Sequence, residues 1–282
     1  MIKEDKNFSK SIFKNLDMES HIKKHKLDII LNLDQDSLKN LKNKKIKKPF
    51  ENVTPNLAEA FEAEIDDLCR LHWLIISRKI TTVLEFGVGK STIIFNDSLK
   101  KNQFTHQDFV KNNLRKTNLF ECHSIDNFEE WINQMKSNYN LDNVIYHKSD
   151  LLMGTFADRV CTYYDPLPNI CPDFIYLDGP DQFSPKNNIR GISTCHSERV
   201  PMSADLLALE HFLLPGTLIV VDGRTANARF LKSNFQRNWI YCHDEIADQH
   251  FFELSEKPLG VYNQRQLNYC LGKNFFNRVI KS

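Results

Sequence analysis

The residues best placed to do chemistry lie in one short run, Val83-Leu84-Glu85-Phe86-Gly87-Val88-Gly89-Lys90-Ser91-Thr92. An apolar stretch gives way to two glycines and then to a helix-compatible segment, which is the order strand, turn, helix. Gly87 and Gly89 let a ligand approach the backbone closely, and the amides that open the next helix offer donors to a carboxylate or phosphate. Several cofactor classes use such a turn, and spacing separates them. A phosphate loop of the form G-x-x-x-x-G-K-[ST] needs a glycine where Leu84 stands, although Gly89-Lys90-Ser91 supplies its end. A dinucleotide turn, G-x-G-x-x-G, needs Gly or Ala where Thr92 stands. Glu85, immediately before the turn, would repel a phosphate and suits a cationic cofactor.

Apolar strand, acid and G-x-G together resemble the first motif of the class I S-adenosylmethionine-dependent methyltransferases, and the likeness extends over residues 70–257. The resemblance implies that Glu85, Gly87, Gly89 and Ser91 hold the methionine end of S-adenosylmethionine, with Ser91 either bonding its carboxylate or simply capping the helix. Asp126, after Phe120-Glu121-Cys122-His123-Ser124-Ile125, would grip the ribose hydroxyls or cap the following helix, and Asp150 would meet the adenine amino group. Asp178, in Asp178-Gly179-Pro180-Asp181, would face both the methyl group and the acceptor.

The carboxylates after the fourth and fifth strands, Asp178 and Asp222, bring the likeness nearest to small-molecule and sugar O-methyltransferases, where such acids hold Mg2+. This chain has Asp222-Gly223 where the catechol type has Asp-Asn; Asp181, Asp205 or Asn227 would have to complete a metal site. Asp178, Asp181 and His196 are the candidate bases for removing a hydroxyl proton. The acceptor implied is a small molecule or saccharide rather than a nucleic acid, with protein or nucleic-acid methylation, a nucleotide-binding phosphotransferase and a non-catalytic binding module as alternatives. Arg224, Arg229 and Arg237 could bind an anionic acceptor or form a solvated helix face. Asp165-Pro166-Leu167-Pro168 reads as a turn.

The elements that must position these groups follow from periodicity. Strand-like segments at 81–88, 119–126, 143–149, 173–177 and 217–221 alternate with helical ones at 91–99, 128–139, 203–213 and 225–235. Alternating strand and helix predicts βαβ units, and strands this apolar are buried on both faces of a parallel sheet. Segments 239–246 and 250–254 are joined too closely for a parallel crossover, so the last strand must be antiparallel. The expected fold is a Rossmann-like α/β domain with a seven-stranded, mostly parallel sheet, preceded by a helical N-terminal extension. An insertion is expected at 100–118, because Gly89 and Asp126 stand farther apart than the fold requires.

The chain has 282 residues, 41% apolar and 26% charged, the composition of a packed globular protein. Seven scattered cysteines without a C-x-x-C pair argue against a disulfide framework or zinc ribbon. No apolar run approaches the ~20 residues of a membrane span, and no secretory signal opens the chain, so a cytoplasmic location is expected. Residues 1–55 form a Lys-rich, helical or partly flexible extension and 56–282 the catalytic domain. Up to Lys48 there are thirteen Lys against seven Asp and Glu, a balance that suits either a solvated leader or an anionic surface. A helix is expected from Asn56 through Ile75.

Overall fold

The computed structural model describes residues 2–32 and 64–280. Residues 33–55 of the expected Lys-rich extension and the first turns of the helix expected from Asn56 lie outside these residues. Ten strands and ten α-helices are assigned among them.

The central element is an eight-stranded sheet. Its strands are β1 (Lys3–Glu4), β2 (Thr82–Phe86), β3 (Glu121–Asp126), β4 (Val144–Lys148), β7 (Phe174–Leu177), β8 (Leu218–Asp222), β9 (Trp239–Asp244) and β10 (Gln249–Leu254). Their order is β1-β9-β10-β8-β7-β2-β3-β4. All neighbours are parallel except β10, which runs antiparallel to both β8 and β9. The fold is therefore a mixed α/β architecture of the Rossmann-like kind with a parallel-dominated sheet. The eighth strand, β1, is only two residues long and pairs with the edge of β9.

Strand alternation divides the core into two layers. Val83, Cys122, Phe174, Tyr176, Leu218 and Val220 point to one face, where they meet α4 (Ile65–Ser77) and α5 (Lys90–Asn113) through Leu71, Leu74, Ile94 and Phe95. Leu84, Phe86, Ile175, Leu177, Ile219 and Val221 point to the other, where Leu206 of α7 (Asp205–Leu209) and Leu231 of α8 (Thr225–Asn234) cover them. Each such side chain contributes roughly 1.5–3 kcal/mol on burial. α6 (Glu129–Asn138) leads from β3 toward β4, and α9 (Gly260–Cys270) and α10 (Lys273–Ile280) follow β10.

The N-terminal segment joins the first layer. It forms α1 (Phe8–Ile12), α2 (Met18–His25) and α3 (Leu27–Ile30), and Phe8, Ile22, Leu27 and Leu31 share a cluster with the side chains of α4. Residues 2–32 thus pack into the core of the body.

Two more differences from expectation have physical reasons. Residues 100–118 do not loop out but extend α5 to Asn113. Past Leu99 the apolar stripe fades, and the extension leaves Phe104 almost wholly exposed. Between β4 and β7 the chain makes a ribbon, β5 (Asp150–Phe156) paired antiparallel with β6 (Arg159–Asp165). Its face toward the sheet carries Cys161 and Tyr164 into the second core layer.

Candidate functional site

In an open α/β sheet, ligands bind outside the carboxyl ends of the strands, where successive connections turn to opposite sides. Here that point is the crevice between β2 and β7: the chain runs from β2 outward through β3 and β4, then returns to β7 and proceeds to β8. Asp126, Asp178 and Asp222 lie at or just beyond the carboxyl ends of β3, β7 and β8, beside the glycine turn that follows β2.

The turn is held from below. Glu85 is fully buried, and parallel register sets it opposite Ser124 on β3. Its carboxylate accepts hydrogen bonds from Ser91 (2.5 Å), Thr92 (2.7 Å) and Ser124 (2.6 Å). Thr92 Oγ1 also accepts from the Gly89 amide at 3.1 Å. Burial pushes the Glu85 carboxyl up to about 7, against the three hydroxyls that favour its anion. Glu85 and Ser91, expected to touch a cofactor, are thereby engaged with each other beneath the turn. The physical reason is strand alternation plus the first helical turn, which point both side chains inward. Ser124, a hydroxyl between the apolar Cys122 and Ile125 in β3, was the signal that such a partner existed.

Two glycines make the crevice floor. Gly87 has φ +100°, a conformation that side chains rarely adopt, and a Cβ there would stand 3.0 Å from the Gly179 nitrogen. A Cβ on Gly179 would meet the Gly87 nitrogen and the Tyr164 hydroxyl, each at 2.9 Å. The Gly179 and Asp178 amides both donate to the Phe86 carbonyl, at 2.6 and 3.0 Å. Gly89 differs: a Cβ there would meet only Ser91 Oγ at 4.0 Å, so its absence leaves the outer face of the turn bare.

Asp126 is buried and joins two loops. Its oxygens accept from the Val88 amide (2.9 Å) and the Phe128 amide (2.8 Å), and burial raises its pKa. Each carboxylate oxygen retains further acceptor capacity. Asp178 is exposed at the rim. Behind it, Arg224 donates to the Pro180 carbonyl at 2.5 Å, while its Nη1 is buried without a hydrogen-bond partner among the described residues. Burial lowers the Arg224 pKa, and the charges of Asp178 and Asp181 oppose that shift. Asp181 accepts from the Phe183 amide at 2.6 Å through Oδ1, and its Oδ2 is likewise buried without a partner. A buried donor and a buried acceptor thus border the same crevice. Tyr164 and Arg224 complete this site; Tyr164, carried on the unexpected β5–β6 ribbon, had no signal in the sequence.

Other expected site residues fall elsewhere. Asp150 opens β5 and is partly exposed, its carboxylate paired with Lys186 (2.6 Å) and Lys148 (3.3 Å), whose hydrogen bonds lower its pKa. Ser149 is the buried residue at that strand end, donating to the Pro166 carbonyl at 2.6 Å. His196 is exposed in the segment between β7 and α7, where its Nδ1 accepts from the Glu198 amide at 3.2 Å. Asp205 is buried, accepting from Ser203 Oγ (2.7 Å) and the Tyr164 amide (3.0 Å), and burial pushes its carboxyl up to about 7. Asn227 brackets the Ser203 backbone at 3.0 and 2.9 Å. Both brace the loop and neither reaches Asp178. Arg237 lies by β9, paired with Glu256 at 2.7 Å, away from the crevice.

Asp178 and Asp222, expected to hold Mg2+, stand at the ends of the paired strands β7 and β8. Asp222 accepts the Tyr176 hydroxyl at 2.6 Å. Among the described residues, neither aspartate belongs to a group of three His, Cys, Asp or Glu side chains whose ligand atoms converge. No described helix is long and apolar enough to cross a membrane.

No protein-family model matches the sequence, and no curated protein matches it. Among solved structures, the chain is similar to the C-terminal domain of precorrin-6Y C5,15-methyltransferase from Rhodobacter capsulatus, with 13% identity and a TM-score of 0.34 over 64% of this chain and 75% of that one.

Proposed function

We propose that the chain transfers a methyl group from S-adenosylmethionine to a hydroxyl of a small molecule or saccharide. The observation that carries the reading is the crevice between β2 and β7, where a bare glycine turn meets carboxylates from three strand ends and a buried, unpartnered arginine nitrogen. An anionic rim of Asp126, Asp178, Asp181 and Asp222 favours a ligand bearing ammonium and sulfonium charges over a phosphate. Ser91 and Thr92, which a phosphate loop would turn toward its ligand, are bonded to Glu85 instead.

When bound, S-adenosylmethionine would supply a methyl carbon already activated by its positive sulfur. The chain's task is then alignment and proton removal. Asp126 fixes the Val88 amide and thereby the shape of the turn, and Gly89 leaves that turn open to the cofactor. Asp178, at the rim, orients donor and acceptor. Asp181 Oδ2 takes the hydroxyl proton while Arg224 Nη1 steadies the oxygen as its charge develops. His196, exposed on the segment that follows β7, is the alternative base. No step is assigned to a metal.

Calorimetric titration of the purified chain with S-adenosylmethionine and its demethylated product tests the reading, with ATP and NAD as controls. Micromolar binding of both sulfur compounds, lost in Asp126→Ala and absent for the controls, is the expected result. A folded chain that binds neither, or that binds ATP, would end it.

A further inference from the structure

On the sheet face opposite Tyr164, three imidazoles converge where α2 crosses α4. His21 and His25 are four residues apart, so they share one face of α2. His72, fully buried on α4, lies between them: its ring centroid is 4.9 Å from that of His21 and 4.8 Å from that of His25, with His21 and His25 at 4.4 Å. One ligand nitrogen from each ring lies within 4.8 Å of the other two.

We propose that His21, His25 and His72 bind one divalent transition-metal ion of the zinc type, joining α2 of the N-terminal segment to α4 of the body. The orientation of His72 supports this. Its Nε2 hydrogen-bonds the Asp97 carboxylate at 2.9 Å, which leaves Nδ1 as the lone-pair nitrogen, and Nδ1 faces His21 Nε2 at 2.8 Å. A carboxylate behind a ligating histidine is the usual way such a ring is fixed. Zinc held at 2.0–2.1 Å sets its ligand nitrogens about 3.3 Å apart, so His21 and His72 need to separate by roughly half an ångström. His21 then carries its proton on Nδ1, and none is released.

The surroundings favour imidazole ligation: His21 and His72 are buried, His25 is half-buried, and the bond from His72 Nε2 to Asp97 turns its Nδ1 toward the other two rings. Lys24 and Lys101 are the cations that oppose an ion, and Lys101 is itself paired with Asp97. Cys69, one turn before His72, does not belong to the converging group, and its sulfur is turned to the Met18 carbonyl at 3.9 Å. Three nitrogen ligands without sulfur suit zinc, cobalt or nickel rather than magnesium. His25, the half-buried member, also lines an open groove of about 490 Å³ with Lys100, Lys101 and His106, which gives solvent access to a fourth position.

A second convergence, His243, Asp248 and His250, lacks this freedom. Both nitrogens of His250 are engaged, by the Tyr241 hydroxyl at 2.9 Å and Thr225 Oγ1 at 3.1 Å.

The test is calorimetry of Zn2+ with the full chain, stripped of metal by chelation and free of any histidine tag, with Mg2+ as control and Co2+ absorption to report tetrahedral ligation. One Zn2+ per chain at micromolar affinity or tighter is expected, at least 30-fold weaker in His25→Ala and His21→Ala, and about 10-fold weaker in Asp97→Asn. His25→Ala carries the test should the buried His72→Ala fail to fold, with circular dichroism confirming its structure. Absence of zinc binding by the folded chain overturns the proposal. So does wild-type affinity in both His21→Ala and His25→Ala, which would place the ion at another site.

Discussion

Glu85→Gln should make the protein more stable at neutral and alkaline pH. The carboxyl sits without solvent contact and titrates near 7, compared with 4.5 in a model compound, with burial the largest cause and Asp178 adding repulsion. The folded form therefore keeps its proton over a range in which the unfolded form has lost it. Stability from this group is complete below about pH 4.5 and declines as pH rises toward 7. At about 1.4 kcal/mol per pH unit, the decline over that window amounts to about 3 kcal/mol. Glutamine matches the protonated acid in shape and charge, and the hydroxyls of Ser91, Thr92 and Ser124 can rotate to accept from its amide. Asp205 titrates in the same window, so the quantity to follow is the difference between wild type and variant, not the slope of either alone. Urea unfolding from pH 5 to 8 should give nearly equal stabilities at the acid end and an advantage of about 3 kcal/mol for Glu85→Gln at pH 8. A variant less stable than wild type at pH 8, with an unchanged slope, would show that the hydroxyls hold a full anion and that the reasoning is wrong.

Gly179→Ala would press a methyl group against the Gly87 nitrogen and the Phe86 carbonyl carbon, at 2.9 and 3.0 Å, neither of which can rotate away. A loss of about 1–3 kcal/mol in urea unfolding is expected, along with impaired cofactor binding by calorimetry; unchanged stability would refute the close approach. Arg78→Met removes the guanidinium that bonds the buried Glu253 carboxylate at 2.9 Å and the Gly216 carbonyl at 2.9 Å. A loss of about 3–5 kcal/mol is expected, largely recovered in Arg78→Met/Glu253→Met. A single-variant loss under 1 kcal/mol would show that the pair is dispensable.

The sheet was legible because its strands are short apolar runs separated by amphipathic helices, and tertiary packing agrees with that local pattern. The β5–β6 ribbon was not. Its two-residue turn, Ala157 and Asp158, has φ of +46° and +63°, the geometry usually announced by Asn-Gly or Gly-Gly. Ala157 gives no such notice. The strand-end acids were legible as positions but not as orientations. Asp126 and Glu85 are both carboxylic acids, yet one bonds the loop amides and the other is sealed beneath the turn by three hydroxyls. That distinction arises from the pairing of β2 with β3, which joins residues distant in sequence. Arg224 and the Pro180 carbonyl meet for the same reason, across the ends of β8 and β7.

The pairing of β1 with β9 also fixes an order of events during synthesis. Lys3 lies opposite Ile240, so β1 must wait for a strand that is made far later in the chain. Until the hairpin of β9 and β10 has emerged, β1 has no neighbour and Phe8 lacks part of the layer that receives it. Contacts this distant form slowly, because the intervening chain must be gathered first. The segment that carries β1 thus docks late, although it precedes β9 in sequence.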